Sequence, residues 1–114
     1  MKIAIVGSRT ITDIDLSKYI PKETTEIVSG GAKGVDTLAR DYAHENNLKL
    51  TEFLPEYEKY ARFAPLKRNE TIVKYSDMVF VFWDGKSKGA KNVINNCEKF
   101  KVEFEVVEVE DFYL

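Results

Sequence analysis

Residues 29–36 read Ser-Gly-Gly-Ala-Lys-Gly-Val-Asp, and they join a short apolar run to an amphipathic segment. At such a strand-to-helix junction, unpaired backbone N–H groups and the positive end of the helix dipole make a site for an anion. Gly30 and Gly31 would let a phosphate reach the main chain, and Lys33 would add positive charge. Asp36 falls in the first helical turn, where a carboxylate either stabilises the dipole or accepts hydrogen bonds from ribose hydroxyls or a base. The loop is not a Walker A motif, since no Gly-Lys-Ser/Thr follows at the required spacing. Nor is it the Gly-x-Gly-x-x-Gly of dinucleotide dehydrogenases.

The other candidate residues sit at equivalent places along the chain. All six glycines (Gly7, Gly30, Gly31, Gly34, Gly85 and Gly89) follow a predicted strand, and none lies in a helix-to-strand connection. Ser8, Arg9 and Thr10 follow the first strand, Ser29, Lys33 and Asp36 the second, and Asp84, Lys86, Ser87 and Lys88 the fourth. In open α/β sheets the ligand crevice lies outside the carboxyl ends of the strands. Tight turns would account for glycine in one loop; three such loops on one rim point to a ligand. Arg68 and Asn69 open a later helix, where the two-pronged guanidinium suits either a phosphate or a salt bridge. Gly34, Gly85, Ser87 and Gly89 complete the expected ligand-binding set. Tyr57, Tyr60 and Phe63 would stack on a base, seal a subunit contact or form a small satellite core. His44 has no second histidine to pair with and Cys97 shares an apolar helical face, so the chain itself offers no metal site. Magnesium would enter only with a ligand phosphate.

Five apolar runs must position these loops: 2–6, 26–28, 48–54, 78–83 and 102–109. Those at 2–6 and 78–83 show almost no polar alternation, as strands buried on both faces of a parallel sheet do. The last alternates Val102, Phe104 and Val106 with Glu103 and Glu105, as an edge strand does. Four helical patterns separate the runs. The first has a cap-like start at 12–15. The second buries Val35, Leu38, Ala39, Tyr42 and Ala43 and ends at Asn46-Asn47. The third begins near Pro65, with Leu66, Ile72 and Val73 inward, and the fourth buries Ala90, Val93, Ile94 and Cys97. Strands alternating with helices predict an α/β, Rossmann-like, doubly wound and mostly parallel five-stranded sheet with right-handed crossovers.

The chain has 114 residues, room for a single domain over 1–114. Its net charge of −2 argues against a general duplex-DNA binder, which needs a positive excess. One cysteine permits no intrachain disulfide, and residues 2–7 are too short for a signal peptide's apolar segment. No run approaches the roughly 20 residues of a bilayer span. The expectation is a cytoplasmic protein with no membrane partner. Its small size leaves limited surface to enclose a ligand, so a homodimer or larger homo-oligomer is also expected.

Taken together, Ile-Val-Gly-Ser-Arg at 5–9, the 29–36 loop, Arg68-Asn69-Glu70 and Phe-Trp-Asp-Gly-Lys-Ser-Lys-Gly at 82–89 resemble the SLOG superfamily, in particular its YspA-like branch. The resemblance runs from residue 3 to about residue 107. It implies a Rossmann-like fold with a nucleotide-type ligand, ADP-ribose- or NAD-like or a nucleoside phosphate, over the glycine-rich loop. The superfamily includes the LOG phosphoribohydrolases and the DNA-processing protein DprA. LOG enzymes carry Gly-Gly-x-Gly-Thr-x-x-Glu, whose glutamate serves N-glycosidic cleavage. Aligned on Gly34, this chain has Val35 at the threonine and Leu38 at the glutamate. Cleavage would therefore need Asp36 or Glu70 as a substitute carboxylate, and the leading expectation is binding without turnover. The loop itself is closer to that of DprA. Single-stranded nucleic acid is the less favoured partner, since no long basic groove with interleaved aromatics appears.

Overall fold

The computed structural model describes residues 1–109. Five strands, β1 (Lys2–Gly7), β2 (Glu26–Ser29), β3 (Lys49–Glu52), β4 (Met78–Trp83) and β5 (Glu103–Glu108), form one sheet in the order β3-β2-β1-β4-β5. Every pairing is parallel, and the order is that of the dinucleotide-binding Rossmann sheet. The fold is therefore the α/β arrangement expected, wholly rather than mostly parallel. β5 is an edge strand, with its glutamates outward.

Alternation along the central strands builds a core on each face. Ile3, Ile5, Ile27, Phe80 and Phe82 face helix α1 (Val35–Glu45), which contributes Val35, Ala39 and Ala43. Ala4, Val6, Val28, Val79 and Val81 face α3 (Ala64–Tyr75) and α4 (Lys88–Phe100), which contribute Ile72, Val73, Val93, Ile94 and Cys97. At the amino end of β2, far from the loops of interest, the buried Glu26 accepts hydrogen bonds from Thr51 Oγ1 and Tyr75 Oη, each at 2.6 Å. Burial alone would raise its pKa; these bonds outweigh it and hold the carboxyl below its ordinary value.

Several local expectations are corrected. The first crossover holds no α-helix. Asp15 caps a single 3-10 turn, Leu16–Lys18, through Ser17 N (3.1 Å). Pro21 follows closely and disfavours helical geometry at Ile20, and Ile11, Leu16 and Ile20 instead pin this loop to the core. β3 stops at Glu52, so Leu54 lies outside the sheet and 61 % exposed. Leu66 also faces outward, because the inner side of α3 is carried by Ala64, Asn69, Ile72 and Val73. Tyr57 and Phe63 form no buried satellite. They are exposed on the short α2 (Tyr57–Tyr60) and the 3-10 turn after it (Ala61–Phe63).

Candidate functional site

Strand order reverses between β1 and β4. The connection from β1 crosses the α1 face, while that from β4 crosses the opposite face, so a crevice opens between their carboxyl ends. Its volume is about 380 Å³. The loop after β1, the loop from β2 into α1, the first turns of α3 and the amino end of α4 enclose it.

Ten of the residues singled out in the sequence meet in this wall: Gly7, Ser8, Arg9, Gly30, Asp36, Arg68, Asn69, Asp84, Ser87 and Gly89. Ser8, Arg9 and Asp84 come together because β1 and β4 are direct neighbours, with Gly7 paired to Phe82. Ser8 N donates to Phe82 O at 3.0 Å, and Asp84 N donates to Ser8 Oγ at 3.2 Å. Asp84 then organises its loop. Its Oδ1 accepts from the amides of Lys86 and Ser87, each at 2.8 Å, and its Oδ2 accepts from Thr10 Oγ1 at 3.2 Å. The two amide bonds above all hold its carboxyl below the ordinary range. Ser87 caps α4 by accepting from Ala90 N at 3.3 Å.

The β2 side is built around Arg68. Its Nη1 donates to Gly30 O at 2.8 Å and its Nε to Asn69 Oδ1 at 2.9 Å. Asn69 is held in turn, its Nδ2 donating to Asn92 Oδ1 at 3.1 Å, and Asn96 Nδ2 donates to the same oxygen at 3.3 Å. Arg68 Nη2 has no acceptor among the described residues. Asp36 is buried in the first turn of α1, its Oδ2 accepting from Ala32 N at 3.0 Å. Burial pushes its carboxyl above the ordinary range, opposed by that amide and by the Arg68 guanidinium. Gly34 caps α1 without a side chain. Its φ of 73° and the Arg9 carbonyl oxygen, 2.6 Å from where a Cβ would lie, both require glycine there.

The remaining candidates stand elsewhere. Ser29 is buried beneath the loop and accepts from Gly31 N at 3.3 Å. Gly31 faces Leu54, and Lys33, Gly34 and Gly85 lie outside the crevice wall. The amides of Gly31 and Ala32 are thus engaged within the loop, while Arg9, Arg68 and Gly89 stand in the crevice wall. Glu70 also lies outside the wall and pairs with Lys74 at 3.1 Å. Leu38 packs against the α1 side of the core. His44 is exposed on α1. Sequence reasoning missed Asn92, whose polar side chain on the inner part of α4 was the available signal. It also missed the apolar part of the wall, Pro65, Ile72, Ala90 and Val93, whose periodicity reads simply as core.

Two arginines and two aspartates line the crevice, and among the described residues both oxygens of Asp84 have donors while Asp36 Oδ1 has none. The arrangement suits an anionic group at the arginines beside hydroxyl donors at Asp36. Among the described residues no cluster of three or more His, Cys, Asp or Glu side chains is placed to hold a metal ion. No described helix is long and apolar enough to cross a membrane.

No curated protein and no solved structure matches the chain. A family model does match, over residues 1–60, a span containing β1, the β1 loop, β2, the glycine-rich turn, α1 and β3. With half of its length so covered, and with the sheet that this family's fold requires, the chain belongs to the YspA, cpYpsA-related SLOG family.

Proposed function

We propose that this protein binds a phosphate-bearing nucleotide or nucleotide-derived ligand, ADP-ribose- or NAD-like or a nucleoside phosphate, in the β1–β4 crevice and holds it without cleaving it. One observation carries the reading. The crevice at the reversal of strand order is bordered by two arginines, and one of them, Arg68, is oriented by a built chain of asparagines while its Nη2 has no acceptor among the described residues. A phosphate would accept from Arg68 Nη2 and from Arg9. Asp36 would accept from ribose hydroxyls, as a carboxylate in the first helical turn after β2 can. SLOG membership supports a nucleotide-type ligand. The absence of turnover is supported by Leu38, an apolar core contact where cleavage would need a carboxylate, and by the pairing of Glu70 with Lys74 away from the crevice.

Thermal melting with AMP, ADP-ribose and NAD tests the binding. A ligand at about 100 times its Kd stabilises the fold by roughly 2.7 kcal/mol. At about 4 °C per kcal/mol the melting point rises by about 10 °C. No shift with any of the three at millimolar concentration refutes the proposal. Release of free adenine from AMP, lost in Asp36→Asn, would replace binding by N-glycosidic cleavage. The exposed Leu54, Tyr57 and Phe63 favour a homo-oligomer, which light scattering on the purified protein tests.

A further inference from the structure

A second groove, of about 430 Å³, opens beside the crevice and shares Leu66 and Ser87 with it. Trp83, Lys86, Lys88 and Lys91 form most of the rest of its wall, which contains no acidic residue among the described residues. In a chain of net charge −2 this is a locally cationic surface. Trp83 closes β4 and is half-buried, with its ring against the α3/α4 side of the core. Its Nε1 donates to Ser87 O at 3.0 Å, which fixes the ring, and Lys91 Nζ lies 5.9 Å from the ring centroid. A fixed aromatic among lysines is a platform for a flat base linked to phosphates. The crevice, at about 380 Å³, lies near the lower end of the roughly 300–1,000 Å³ of small-ligand pockets. A volume of that size suits one nucleotide, and a ligand with two bases would extend out of it. The shared Leu66 and Ser87 make the groove the adjoining surface onto which it would extend.

We propose that Trp83 is a second base-stacking subsite and that the ligand is of the dinucleotide class, two bases joined through phosphates. One base occupies the crevice and the other lies on Trp83, with Lys86, Lys88 and Lys91 offsetting the phosphate charge. This rests on the crevice reading above and extends it.

Trp83 is the only tryptophan in the chain, so its emission reports this subsite alone. ADP-ribose and NAD are suitable probes because only NAD carries the second base. In calorimetry NAD should bind at least about five-fold more tightly, the lower end of base–aromatic stacking. NAD should also quench Trp83 emission beyond a blank of free nicotinamide at equal concentration, and ADP-ribose should not. Trp83→Leu should bring NAD to the affinity of ADP-ribose while leaving ADP-ribose unchanged. The wild-type comparison stands by itself if that variant does not fold. Equal affinities with unchanged emission would overturn the subsite and leave the crevice intact. Failure of both probes to bind would overturn the crevice and the subsite together.

Discussion

Gly30 holds Arg68 by leaving room for it. Its φ lies outside the positive region, so the backbone there does not require glycine. The space where a side chain would begin is already filled: a Cβ on Gly30 would lie 2.5 Å from Arg68 Nη1, 3.0 Å from Arg68 Cζ and 3.1 Å from Asp36 Oδ2. Carbon contacts relax at about 3.5 Å or more, so in Gly30→Ala the guanidinium must retreat by about 1 Å. The 2.8 Å bond from Nη1 to Gly30 O would not survive that movement, whereas the bond from Nε to Asn69 would. A hydrogen bond from a charged donor contributes about 1.5–3 kcal/mol. Gly30→Ala should therefore destabilise the fold by about 2 kcal/mol, and the melting point should fall by about 8 °C. Affinity for ADP-ribose should drop about ten-fold as Arg68 leaves its place, a change of about 1.4 kcal/mol. The decisive measurement is a double-mutant cycle with Arg68→Ala, using urea denaturation for stability and calorimetry for binding. With Arg68 already truncated, Gly30→Ala should cost less than about 0.5 kcal/mol in either assay, the scatter expected of independent sites. If the two substitutions simply add, Arg68 does not fill the space above Gly30 and the account of this wall is wrong.

Gly34→Ala should cost clearly more than Gly85→Ala in the same urea assay. Both glycines have positive φ, worth about 1 kcal/mol or more to a side chain, but only at Gly34 would the Cβ also meet the backbone of Arg9; equal losses would refute the close approach. Burial raises the Asp36 pKa, so the folded state binds this proton more tightly than the unfolded chain, and the contribution is lost as pH rises from the ordinary carboxylate pKa through the raised one. The stability of Asp36→Asn minus that of the parent should accordingly grow across that window and level off above it, and a difference that shrinks with pH would show that the charged form is the better accommodated. Cys97 is fully buried, and desolvation lifts its thiol to about 11. It should stay unreactive toward a disulfide reagent at pH 8 until denaturant is added, and rapid native labelling would contradict its place between α4 and the sheet.

Much of the fold was legible in the chain because the signals are local. Unbroken apolar runs at 2–6 and 78–83 state that both faces are covered, and the helical spacing of Val35, Ala39 and Ala43 or of Ala90, Val93, Ile94 and Cys97 states which side turns inward. The six glycines after strands marked the rim, and the Ser29–Asp36 loop marked the family. Local signals did not reveal which loops meet. Ten of the expected residues share one crevice only because β4 lies beside β1 rather than beside β3, and that neighbour was selected by burying both faces of the sheet at once. The same packing turned Gly31 toward Leu54, whereas the i,i+4 pairing of Glu70 with Lys74 and the 3-10 turn before Pro21 have local causes. Arg68 reaches Gly30 across 38 residues of sequence, and asparagines on two different helices brace it. Residue types and short periods are properties of the chain; a contact at such a separation exists only once the sheet has closed, so many residues of the crevice wall could be named from the sequence, and which of them meet could not.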